Sequence, residues 1–102
     1  MIHVIATIET VAGKREEFLK HFHDLIPKVL AEAGCLEYGP VIDLQTNLSA
    51  QPPVRPDVVT VIEKWEDLSA LEQHLVAPHM ADYRKLVKDL VVGTQVCVLE
   101  PA

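Results

Sequence analysis

The sequence predicts one α+β domain, a ferredoxin-like βαββαβ chain with helices on one face of a four-stranded antiparallel sheet. Two observations predict it. Strand-like runs rich in β-branched residues alternate with amphipathic helical stretches in the order β-α-β-β-α-α-β, a split βαβ arrangement. No linker, repeat or low-complexity tract interrupts the 102 residues, so residues 1–102 form a single domain.

Residues 2–10 read as the first strand, and Gly13 then breaks the pattern. A helix follows from Lys14 to about Ala33, with Phe18, Phe22, Leu25, Ile26, Val29 and Leu30 on one apolar stripe. Pro27 lies inside that stripe, which predicts a kink or a two-piece helix. Gly34 suits a left-handed C-terminal cap. The second strand runs over 35–45, and residues 46–57, with three prolines, form a long loop. Val58 to Trp65 is the third strand. Ser69 to Glu72 reads as a capping box opening a short helix to about Val76. Pro78 suits the first turn of the next helix, whose buried face is Met80, Tyr83, Leu86, Val87 and Leu90. Gly93 ends it, and 94–100 is the last strand.

The formal net charge is −6, and the nine Lys and Arg residues are scattered. Nucleic-acid affinity depends on a basic stripe that releases counterions, so no nucleic-acid partner is expected, nor an anionic membrane surface. No apolar stretch is long enough for a membrane span, and the N-terminus lacks the features of a signal peptide. A cytoplasmic protein is expected. Cys35 and Cys97 have no CxxC spacing and read as small buried hydrophobes in a reducing compartment.

The strands do not alternate cleanly between apolar and polar. Ile2, Val4, Ala6 and Ile8 share one face, yet Ile5 takes the other; Val58 and Ile62 oppose Val59, Val61 and Trp65; Val96 and Val98 oppose Cys97 and Leu99. Helices can cover one face only. About seven aliphatic side chains left bare would represent on the order of 10 kcal/mol of unrealised burial at roughly 25 cal/mol per Å². A homodimer through the sheet face, twofold and self-complementary, is the expected solution.

Phosphate-loop, HExxH, EF-hand and GxSxG patterns are missing. What remains is a set of protonatable and aromatic side chains at segment ends: His3, Tyr38, Glu63, Trp65, His74, His79 and Tyr83, with Met80 beside them. Such a set suits a pocket between sheet and helices with general acid–base groups. His79 at a helix N-terminus is expected to be neutral, because the dipole disfavours its cation. His21 and His23 read as flanking positions of the first helix. No pair of histidines has i, i+4 spacing, so no metal is expected.

The stretch from Glu63 through Trp65, Asp67, Ala70, Leu71 and His74 to Ala77-Pro78-His79 resembles the antibiotic biosynthesis monooxygenase family, of quinol monooxygenase type. That family has a strand ending E-x-W-x-D, then ALxxH, then often a second His before an amphipathic helix. Ala33-Gly34-Cys35-Leu36-Glu37-Tyr38 is similar to the family's turn into strand two, and the opening strand with Gly13-Lys14 also fits. The resemblance implies a dimeric α+β barrel. It also implies that a small aromatic quinol or anthrone is oxidised by O2 without a cofactor, because the substrate anion itself reduces oxygen. On that reading His74 or His79 is the catalytic proton acceptor or anion donor. Trp65 is a platform for the substrate ring, and His3 and Tyr38 are pocket wall, with Glu63, Met80 and Tyr83 completing the binding set. Haem-degrading relatives carry an Asn on the first strand that this chain lacks. The same fold also serves isomerases and non-enzymatic small-molecule-binding or stress-response modules, and these stay as alternatives. The loop over 46–57 is longer than the resemblance leads one to expect.

Overall fold

A computed structural model describes residues 1–102. The elements are β1 (Ile2–Thr10), α1 (Arg15–Leu30), β2 (Cys35–Val41), β3 (Val58–Trp65), α2 (Leu68–Leu75), α3 (Pro78–Val87) and β4 (Val91–Leu99). The strands form one antiparallel sheet in the order β2-β3-β1-β4, with β1 and β3 central. This is the ferredoxin-like α+β arrangement that the sequence predicts.

Register decides which residues meet the helices. Ala6 lies opposite both Val61 and Val96, so Val4, Ala6, Ile8, Val59, Val61, Glu63 and Trp65 share the helix-facing side. Phe18, Phe22, Leu25 and Val29 of α1, Leu71 of α2, and Met80 and Val87 of α3 close over them. The helices stop short of β4. Its helix-facing Val96 and Val98 remain 52% and 49% exposed, which leaves an opening beside the core. The outer face is mixed: Ile5, Val41, Val58, Ile62 and Leu99 lie among His3, Thr7, Thr60, Lys64 and Gln95. It is less greasy than the sequence suggests, because some of the aliphatics counted there belong to uncovered β4.

Several boundaries differ from expectation, each for a local reason. Pro27 does not split α1: Pro27 and His23 are both exposed, so the carbonyl that loses its partner lies on the water-facing side. The helix ends at Leu30, and a turn follows in which Glu32 N–H donates to Val29 O and Cys35 N–H to Glu32 O. Gly34 is left-handed at φ 82°, but it closes this turn into β2 instead of capping the helix. β2 ends at Val41, because the chain is drawn off by Asp43, which takes a bidentate pair from Arg55 at 2.8 and 2.9 Å. The Arg55 hydrogen bonds hold the Asp43 carboxyl down at about 2. The cap of α2 is Asp67, whose carboxylate accepts from Ala70 N–H at 2.8 Å; Ser69 already lies in the first turn. Leu86 points outward, and Gly93 lies inside β4 instead of ending α3. Cys35 is half-buried and Cys97 is exposed on the outer face, so neither is the buried hydrophobe expected, and both are unpaired. No helix is long and apolar enough to cross a membrane.

Candidate active site

β3 brings the first two groups together. Residues two apart on a strand point the same way, so Glu63 and Trp65 both face the helices, and the Trp65 indole N–H donates to Glu63 Oε1 at 2.9 Å. Register places Tyr38 of β2 opposite Glu63, and Phe22 of α1 stacks on the Tyr38 ring at 5.5 Å. His74 projects from α2 into this cluster, with its ring 4.7 Å from Trp65 and edge-on to Tyr38 at 5.5 Å.

Beside the cluster, under the uncovered part of the sheet, lies a cavity of about 390 Å³. Ala6, Val61, Phe22, Met80, Val87 and Val96 make most of it apolar, and Tyr38, Glu63, His74 and Tyr83 supply polar groups. Arg84 and Lys88 also line it, and neither forms an ion pair. Its volume suits a small molecule.

Glu32, in the turn after α1, fixes His74 from behind. Glu32 Oε2 lies 2.9 Å from His74 Nδ1 and 2.7 Å from His79 Nε2. A carboxylate only accepts, so each imidazole presents its N–H to it. The His74 lone pair is therefore on Nε2, which has no protein partner. No buried polar side-chain atom is left unpartnered, so this nitrogen reaches open space, and the open space that buried His74 lines is the cavity. The same holds for the Tyr38 hydroxyl.

Burial sets the charges. It holds His74 below the ordinary imidazole value, with the Glu32 hydrogen bond partly opposing it. It pushes the Glu63 carboxyl up to about 7, with the Trp65 hydrogen bond opposing and the nearby Glu32 charge adding to the rise. Burial also pushes the Tyr38 and Tyr83 phenols well up, so both remain hydrogen-bond donors. The arrangement is a mostly apolar chamber edged by a neutral imidazole, two phenolic donors, the Glu63 carboxyl and two cations.

The structure gathers Tyr38, Glu63, His74, Met80 and Tyr83 around one cavity and leaves three predicted residues outside it. His3 pairs across to Lys64 and Leu99 on the opposite face of the sheet, so it cannot be pocket wall within one chain. Trp65 is fully buried behind Glu63 and His74 and does not line the chamber, so it positions those two groups instead of carrying a substrate ring. His79 lies on the far side of Glu32 and reaches the cavity only through that carboxylate and His74. Sequence reasoning missed Glu32. It is 42 residues from His74 and 47 from His79, so no spacing rule connects them. Its only signal is adjacency to the Ala33-Gly34-Cys35 turn.

Comparison with known proteins agrees with this architecture. A family model described as antibiotic biosynthesis monooxygenase matches residues 1–86. The probable quinol monooxygenase YgiN of Escherichia coli (strain K12) is 39% identical, over 99% of this chain and 98% of that protein. Among solved structures, a conserved protein from Methanosarcina mazei Go1 superposes with a TM-score of 0.83 at 25% identity, covering 99% of this chain and 92% of that one. PA3566 from Pseudomonas aeruginosa superposes with a TM-score of 0.80 at 26% identity, over 99% and 93% of the two chains. A model match running from β1 into α3, joined to an end-to-end relative, shows that the chain belongs to the antibiotic biosynthesis monooxygenase family.

Proposed function

We propose that the protein is a cytoplasmic, cofactor-independent monooxygenase that oxidises a small aromatic quinol or anthrone with O2. The observation that carries this reading is the His74 Nε2 lone pair facing a mostly apolar chamber, with Glu32 fixing the tautomer from behind. His74 takes the phenolic proton. A free phenol ionises near pH 10, and favouring its anion by about 3 units requires roughly 4 kcal/mol. The Tyr38 hydroxyl donating to the oxyanion, with Arg84 and Lys88 adding positive potential, supplies this stabilisation.

The anion passes one electron to O2, and the ring radical and superoxide combine to form a C–O bond. The imidazolium of His74 protonates the peroxide. The C–H proton at that carbon then leaves to base as the O–O bond breaks, releasing water and leaving a carbonyl. Two substrate hydrogens and one oxygen atom end in water, and the other oxygen atom stays on the ring, so no external reductant is needed.

The test is oxygen uptake by chelator-treated protein with a naphthohydroquinone. His74→Ala is expected to lose about 100-fold or more in rate, the usual scale of a general base. An unchanged rate in that variant overturns the reading. Equal turnover without oxygen favours an isomerase on the same fold.

We also infer a homodimer joined through the outer sheet face, where Ile5, Ile62 and Leu99 are otherwise solvated. Ile5→Lys is expected to shift sedimentation from two copies to one. A wild-type monomer at micromolar concentration refutes this inference.

A further inference from the structure

We propose that Glu32, His74 and His79 form a binding site for one divalent transition-metal ion of zinc type, and that the ion silences the His74 base. Their ligand atoms come from three separate elements, the turn after α1, α2 and the first turn of α3, and all lie within 4.8 Å of one another. Two imidazole nitrogens and one carboxylate oxygen are a preferred donor set for such an ion.

The fit is close. Zinc bonds of about 2.0–2.2 Å in tetrahedral geometry separate ligand atoms by about 3.3 Å. Here Glu32 Oε2 lies 2.9 Å from one nitrogen and 2.7 Å from the other, and all three ligand atoms lie within 4.8 Å of one another, so the carboxylate must withdraw by about half an ångström and the two rings draw together by at most about 1.5 Å to hold an ion. Glu32 also borders a groove separate from the cavity. This groove of about 540 Å³ is lined by Glu32, Glu66 and Asp67 with Gln73 and Pro78, and the Glu32 and His79 side chains are 13% and 22% exposed. Its carboxylates give the groove a negative potential that favours a cation. The missing i, i+4 pair is explained by the break between α2 and α3, which lets histidines five apart converge.

The silencing half of the proposal rests on the reading of His74 as base. A metal on Nδ1 occupies that lone pair, so the neutral ring must carry its proton on Nε2. The nitrogen facing the cavity then changes from acceptor to donor, and proton removal from a phenol stops there.

Cobalt(II) titration of the metal-free protein tests the site without reference to turnover. One ion per chain is expected, with the visible bands of a four-coordinate centre. Affinity is expected to fall at least tenfold in His79→Ala and in Glu32→Gln, both checked for folding by circular dichroism. No binding, or binding unchanged in both variants, overturns the site. Zinc should then suppress naphthohydroquinone oxidation in the wild type at the concentration that fills the site. If zinc fills it without slowing turnover while His74→Ala is inactive, silencing is refuted. If His74→Ala keeps full activity, the functional reading fails and the metal site stands.

Discussion

Replacing Glu63 with Gln should change how stability responds to pH, by an amount that follows from where β3 places this carboxyl. Glu63 is 6% exposed, accepts from the Trp65 indole N–H, and is pushed up to about 7 from an ordinary 4.5. The folded state thus holds its proton more tightly than the unfolded chain does. Between pH 4.5 and 7 the unfolded chain has lost the proton and the folded protein has kept it, so stability falls as pH rises through that window. Below it both states are protonated and the full contribution is present; above it both are ionised and the contribution is gone. A difference of about 2.5 units at about 1.36 kcal/mol each corresponds to roughly 3 kcal/mol. Glu63→Gln keeps an oxygen for the indole and cannot titrate. Urea unfolding of both proteins at one protomer concentration, followed by Trp65 fluorescence, gives the comparison. Wild-type stability minus variant stability should drop by about 3 kcal/mol from pH 4.5 to above 7 and be flat on either side. A flat difference throughout, or one that rises with pH, refutes the burial argument.

Two further predictions follow from the same packing. Trp65→Phe removes the indole donor and part of a fully buried ring, so it should cost about 2–4 kcal/mol in unfolding and move the Glu63-linked transition to higher pH, since the lost hydrogen bond favours the carboxylate. Gly13 and Gly34 are both left-handed, at φ 78° and 82°, yet a Cβ at Gly34 would lie 2.6 Å from Ala70 Cβ while one at Gly13 meets nothing. Gly13→Ala should therefore cost only the conformational penalty of about 1–2 kcal/mol, and Gly34→Ala clearly more, both read from denaturation midpoints.

What was legible in the sequence depended on the range of the interaction that made it. Strand-like runs and the α1 stripe are repeated many times along the chain, so the element order could be read directly, whereas the mixed faces of β1 hid that His3 lies on the side away from the helices. Single-residue signals failed where a neighbour competed for the same task. Asp67 took the cap two residues before Ser69. The Asp43–Arg55 pair drew the chain out of β2 although the sequence remained strand-like. The site divides the same way. Glu63, Tyr38 and His74 were found because strand register and a local motif place them. The residues that decide their chemistry were hidden or misassigned, because their roles depend on depth and on contacts across the fold. Trp65 acts from behind the chamber, and Glu32 reaches His74 across 42 residues of chain. His74 was thus visible in the sequence, but the carboxylate that sets its tautomer was not. A motif specifies which side chains approach a pocket, and the turn after α1 determines which nitrogen of His74 carries the proton.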